Sequence, residues 1–441
     1  MPLPRRRLIA LAGFGAANAL AIAALKNFYE TAAHGRSPLG QGYGSLKPDP
    51  QGILDLPEGF RYVVLSREGD RMSDGSLVPS HADGMAALAG ANGSTILIRN
   101  HELRLEDSTR VEAAQSKRYD PVGRGGTTTL IVGSDRKLMK QYVSLAGTST
   151  NCAGGATPWG SWVSCEETTL TPATQPTGTS VRVTKPHGYN FEVPKLAAGP
   201  VDPTPLVAMG RFRHEAIAVD PRTGIVYQTE DQNDGLFYRF IPKQRGNLVA
   251  GGVLEALRIP KIPKAITRKG FPVEKPMAVD WVPIEEVNPQ GDTVRVEGFH
   301  KGAAQFSRGE GICYTEGSLY FTCTNGGEAG VGQVWRYSPG RNPQEGGTIA
   351  LFVESPSPSV LDFPDNLVMA PFGDLILCED GAGEQRVMGL TSGGELYPLA
   401  HNALNNSEFA GVCFSPNGQT MFLNIYRPSV TLAIWGPWRK V

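Results

Sequence analysis

Gly93-Ser94-Thr95-Ile96-Leu97-Ile98-Arg99-Asn100-His101-Glu102 is a glycine turn, a short apolar strand and a polar ending, and the phrase recurs along the chain. The other copies run over 160–167 (GSWVSCEE), 224–231 (GIVYQTED), 317–325 (GSLYFTCTN), 373–380 (GDLILCED) and 418–426 (GQTMFLNIY). Several are preceded by a second apolar run, such as Ile217-Ala218-Val219 or Leu367-Val368-Met369. Each unit therefore reads strand, glycine turn, strand. Six units predict an all-β fold, a six-bladed β-propeller with inserted loops. The spacing is uneven, and the widest gap holds an insertion around residues 243–302, rich in Pro and Lys. The expected organisation is a signal segment at 1–35 and one propeller domain at 36–441.

Composition agrees. Glycine (53) and proline (34) make up about a fifth of the 441 residues, against roughly an eighth in ordinary chains. That excess asks for many turns. Forty-two basic residues face 43 acidic ones, so no basic surface for nucleic acid is expected. Six cysteines are too few for a disulfide framework. At the N-terminus, Arg5-Arg6-Arg7-Leu8-Ile9 opens an uncharged stretch from Leu8 to Leu25. This is the pattern read by the twin-arginine export machinery. The expected destination is the periplasm or the exterior, with an uncleaved anchor as the alternative.

A propeller makes a geometric forecast. The start of the first strand of each blade and the end of the second lie on one face. Before first strands stand His81 and Asp83, Glu215, Arg308 and Glu310, Asp365 and Asn366, and Glu408. After second strands stand Asn100, His101 and Glu102, then Glu166 and Glu167, Glu230 and Asp231, and Glu379 and Asp380. So many carboxylates at one mouth repel unless cations neutralise them, and oxygen ligands suit calcium or magnesium. Cys152 lies in a Gly-rich stretch read as a loop approaching a strand, whereas the other cysteines sit in apolar or strand settings. A thiolate there favours a transition metal at one position. Arg308, two residues before Glu310, offers a fork for an oxyanion.

Asn151-Cys152-Ala153-Gly154-Gly155 with the stretch 157–167 (TPWGSWVSCEE) resembles the signature of PhoX-type alkaline phosphatases. The resemblance continues through Asn100-His101-Glu102, residues 210–216 (GRFRHEA), Arg308-Gly309-Glu310-Gly311, Pro364-Asp365-Asn366 and residues 415–422 (SPNGQTMF). It implies an exported phosphatase that hydrolyses phosphate monoesters, a six-bladed propeller holding an iron pair (Fe3+) and calcium ions (Ca2+). It also implies roles. Cys152 is the iron-ligating thiolate, with Glu215 and Glu310 as metal-ligating carboxylates near it. Arg308 binds the substrate phosphate. Glu166 or Glu167 and Glu408 help hold calcium, and Asn100 and Glu102 match the family's Asn-His-Glu segment. Two rival readings use the same fold. One is a calcium-dependent lactonase-like hydrolase, which needs neither the thiolate nor the arginine. The other is a non-catalytic, calcium-stabilised propeller that binds a protein partner.

Overall fold

The computed structural model describes residues 39–40, 42–174, 181–342 and 345–439, so the expected signal segment lies outside the described residues. Among the described residues there are six antiparallel sheets, arranged as the blades of a β-propeller, and one short α-helix, Val294–His300. No helix among them is long and apolar enough to cross a membrane.

Each predicted glycine turn joins the innermost strand of a blade to its neighbour. The inner strands are Ala82–Ala89, Asn151–Ala156, His214–Val219, Gly309–Thr315, Pro364–Met369 and Phe409–Phe414, taken as blades 1 to 6. They pack side by side in a closed ring around the axis. The second strands are Thr95–His101, Ser161–Glu166, Val226–Glu230, Ser318–Cys323, Leu375–Glu379 and Met421–Ile425. Blade 6 is completed from the other end of the chain: Arg61–Arg67 pairs antiparallel with Val430–Trp435. This clasp closes the ring and covers the otherwise unpaired edge of Val430–Trp435.

The 243–302 region is spread over the fold. Gly252–Arg258 and Asp280–Pro283 widen blade 3, and Met277–Ala278 pairs with the outer strand of blade 4. The core fills the space between blades. Tyr227, Phe237, Phe321, Trp335 and Tyr337 pack together between blades 3 and 4, with Phe237 stacked on Phe321 at 4.5 Å between ring centroids.

Small residues let the inner strands approach. A Cβ on Gly84 would lie 2.5 Å from the Ala153 Cα and 2.9 Å from the Cys152 carbonyl oxygen. Backbone cannot yield there as a flexible side chain could, so Gly84→Ala is expected to cost ~1–3 kcal/mol. Denaturant midpoints measure it, and a midpoint equal to the parent's would contradict this account of the ring.

A candidate metal centre at one mouth of the channel

The site is built by one backbone device used six times. In every blade the register between inner and second strand slips near the start of the inner strand, where two residues oppose one. In blade 1, Ala82 faces His101 but Met85 faces Arg99. Such a bulge re-aims a side chain. The first bulged residue is Asp83, Cys152, Glu215, Glu310 or Asp365 in blades 1 to 5, and Gly411 in blade 6. Five of six therefore carry a metal-ligand type of side chain. Cys152 thus belongs to an inner strand, not to the loop read from its glycine-rich surroundings.

Two further repeats fix the bulges. Two residues ahead of the bulged one, His81, Thr150, Arg308 and Phe363 hold φ of 50 to 54°, a left-handed conformation that non-glycine residues rarely adopt. The carbonyls of these four accept hydrogen bonds from the amides of Glu102, Glu167, Thr324 and Asp380, and in blade 6 Glu408 accepts from Tyr426. In these five blades the residue just past the second strand is thereby tied beside the bulge. In addition, a polar side chain near the end of a second strand reaches the bulge carbonyl of the next blade. Asn100 donates to Cys152 O at 3.1 Å, Thr229 to Glu310 O at 2.5 Å, Thr322 to Asp365 O at 2.8 Å and Asn424 to Asp83 O at 2.6 Å.

Strand alternation then sorts the acids. Glu166, Glu230 and Glu379 end their strands and turn away from the axis. Glu166 accepts from His187 Nδ1 at 2.6 Å and from the amides of Ser149, Gly188 and Tyr189. Glu230 accepts from the Leu236 amide and the Tyr238 hydroxyl, and Glu379 from Arg386. The next residues, Glu102, Glu167, Asp231 and Asp380, face the mouth. Of the adjacent pair Glu166 and Glu167, then, only Glu167 joins the central group. Asn100 spends both ends of its amide on scaffolding, since its Oδ1 accepts from Trp162 Nε1 and Ser164 Oγ.

At the centre, ligand atoms of Cys152, Glu167 and Glu215 lie within 4.8 Å of one another, as do those of Glu215, Glu310 and Asp365. The Cys152 thiol donates to Glu215 Oε1 at 3.3 Å. Burial, added to by neighbouring carboxylates, pushes the carboxyls of Asp83, Glu167, Glu215, Glu310 and Glu408 well above their usual range and Asp365 up to about 7. Burial, then the charges of Asp83 and Glu215, raises the Cys152 thiol as well. Glu102 is raised by burial despite a hydrogen bond from the Tyr426 hydroxyl.

These residues fit bound cations. Glu215 Oε2 is buried with no hydrogen-bond partner among the described residues, and Arg308 is hydrogen-bonded to Glu310 within the cluster. A cation supplies the missing partner and reverses the pressure to stay protonated. Arg308 donates through Nε and Nη2 to Asp231 at 2.8 and 3.1 Å, and through Nη2 to Glu310 at 2.7 Å. Burial opposes its charge, but Glu310 and Asp231 more than offset that and hold it charged.

On the far side of the ring the channel opens into a cavity of about 560 Å3 walled by Met85, Ile217, Ile312, Val368 and Val412. Its lining includes Cys313, Cys413 and Asn366 but no carboxylate or imidazole, so the charged groups gather at the acidic mouth instead. Asp83, Asp365, Asp231 and Asp380 stand there too. The sequence placed them on this face without assigning them roles. Their shared signal is position, at the bulge or just past the second strand.

The model of the family described as alkaline phosphatase PhoX matches residues 41–429. No curated protein sequence matches the chain. Among solved structures, Pseudomonas fluorescens PhoX in complex with vanadate, a transition state analogue, superposes with a TM-score of 0.68 at 18% identity, over 90% of this chain and 98% of that one. A gluconolactonase from Xanthomonas campestris gives a TM-score of 0.45 at 12% identity, over 89% and 98%. The family match reaches into all six blades, and on it the chain belongs to the PhoX alkaline phosphatases, a family of phosphomonoesterases.

Proposed function

We propose that the chain is an exported phosphomonoesterase whose iron and calcium ions sit in the acidic mouth of the propeller. The observation that carries this reading is the meeting of a thiol and a guanidinium in one carboxylate cluster. Cys152 lies 3.3 Å from Glu215, and Arg308 lies 2.7 Å from Glu310. Cys152, Glu215 and Glu310 would hold iron. Glu102, Glu167 and Glu408, with Asp83, Asp365 and Asp380, would hold calcium. Bound metals supply Lewis acidity and neutralise the charge that builds on a phosphoryl group. Arg308 would grip a phosphoryl oxygen with its fork. Asp231 aims that fork through two hydrogen bonds. Export through the twin-arginine machinery belongs to the same reading and rests on residues 5–25.

Family membership and these two residues favour this reading over a lactonase-like one. A ferric thiolate absorbs visible light, so the purified holoenzyme is expected to be coloured. Cys152→Ser should bleach the band and lower activity, because serine changes the ligand and hardly the shape. The same change at Cys378 should leave the colour intact. Metal analysis, absorption spectra and phosphate release measure these together. A colourless, iron-free parent fully active with calcium alone would overturn the iron assignment and favour the lactonase-like reading.

A further inference from the structure

Arg308 is not the only arginine at the mouth. Arg104 follows the second strand of blade 1, Arg213 precedes the inner strand of blade 3, and Arg427 follows the second strand of blade 6. Their settings differ from that of Arg308. The Arg308 side chain is 29% exposed, while those of Arg104 and Arg213 are 61% and 46% exposed. Arg104 approaches Glu102 only to 3.7 Å and Arg213 approaches Glu167 only to 4.0 Å. Arg427 is exposed and lies over the Tyr426 ring at 5.3 Å, and its charge acts on Glu102 and His81. None of the three guanidiniums donates a short hydrogen bond to a described residue.

Arginines that served only to balance the carboxylates would be hydrogen-bonded into them, as Arg308 is. These three approach the acids of the mouth from three different blades and remain exposed to solvent. Once cations occupy the acids, the negative charge beneath the arginines is gone and their own charge faces outward. A phosphoryl group held beside Arg308 would leave its alcohol portion towards the solvent-exposed side of the mouth, where these guanidiniums are exposed. The guanidinium fork matches carboxylate and phosphate.

We propose that Arg104, Arg213 and Arg427 select phosphate monoesters whose alcohol portion carries a second oxyanion. The inference rests on the phosphatase reading above and deepens it. The charge-assisted hydrogen bonds concerned are partly solvated, which sets a preference of about tenfold.

The holoenzyme is assayed on glycerol 1-phosphate, 3-phosphoglycerate and propane-1,3-diol bisphosphate. These carry no second oxyanion, a carboxylate and a phosphate respectively. KM is expected to be about tenfold lower for one or both anionic esters, and which of them gains identifies the oxyanion preferred. Added salt should shrink the difference. In the triple variant Arg104→Gln, Arg213→Gln, Arg427→Gln the KM ratio should fall towards one. The triple Lys variant, which keeps the charges and controls for folding, should retain part of it. Calorimetric binding of 3-phosphonopropionate against propylphosphonate gives the same ratio without turnover. Equal KM values for all three esters in the parent, or a ratio unchanged in the Gln variant, would overturn the inference and leave the phosphatase reading standing. No phosphate release from any ester by the metal-loaded parent would instead overturn that reading, and the inference with it.

Discussion

Arg308→Ala is expected to lower kcat/KM for phosphate monoesters by about 10²- to 10³-fold, the usual effect of deleting one pre-aligned donor to a developing oxyanion. The guanidinium is pre-aligned here. Its backbone is held at φ 50° two residues ahead of the blade 4 bulge, and Asp231 fixes the plane of the fork. Alanine also strips the partner from Asp231, whose side chain is 12% exposed, and from Glu310, which is 5% exposed. The alanine variant should therefore lose stability as well as activity. Arg308→Lys separates the two effects. Lysine keeps a positive charge between the carboxylates and accepts the same backbone, so the melting temperature should largely recover. A point charge cannot reproduce the fork, so activity should recover little. Calorimetry and steady-state kinetics on both variants, with metal content checked, measure this. A lysine variant as active as the parent would reject bidentate gripping.

Much of this site was legible in the sequence because the hairpin is a local unit. A glycine turn with an apolar run on either side determines which residues start one strand and end the next, and Glu102, Glu215, Glu310 and Glu408 follow from that placement. The bulges were not legible. A bulge is a relation of register between two strands, and nothing local marks Asp83-Gly84 or Asp365-Asn366 as two residues facing one. The same gap made Cys152 read as a loop residue, since Cys-Ala-Gly-Gly looks like a turn until its pairing with Ser161–Glu166 is seen. Glu166 and Glu167 are equivalent in composition, and only the strand's phase sends one to His187 and the other to the mouth. The clasp was missed for a related reason. Arg61–Arg67 pairs with a strand at the far end of the chain, and the residues of the two strands do not announce each other.

Removing the bound cations should abolish activity and lower the melting temperature by something on the order of 10 °C. A cation held at a thousandfold excess over its Kd contributes ~4 kcal/mol, and a large domain shifts by ~2 °C per kcal/mol. The pH dependence tests the cause. In the metal-free protein the central carboxyls are raised by burial and by each other, Asp365 to about 7, and Asp83, Glu167, Glu215, Glu310 and Glu408 well above their usual range. Their unfolded values are ~4. Above pH ~4 the unfolded chain gives up these protons more readily than the folded one, so stability falls as pH rises towards the folded values. Stability is thus fullest below the unfolded pKa and is lost progressively from pH ~4 through 7 and beyond. A bound cation takes the place of the protons, so the loaded protein should not share this decline. Melting curves from pH 4.5 to 8.5, with and without a chelator, should diverge most at the alkaline end. Curves that stay parallel across that range would mean that the buried carboxylates are not what the cations neutralise.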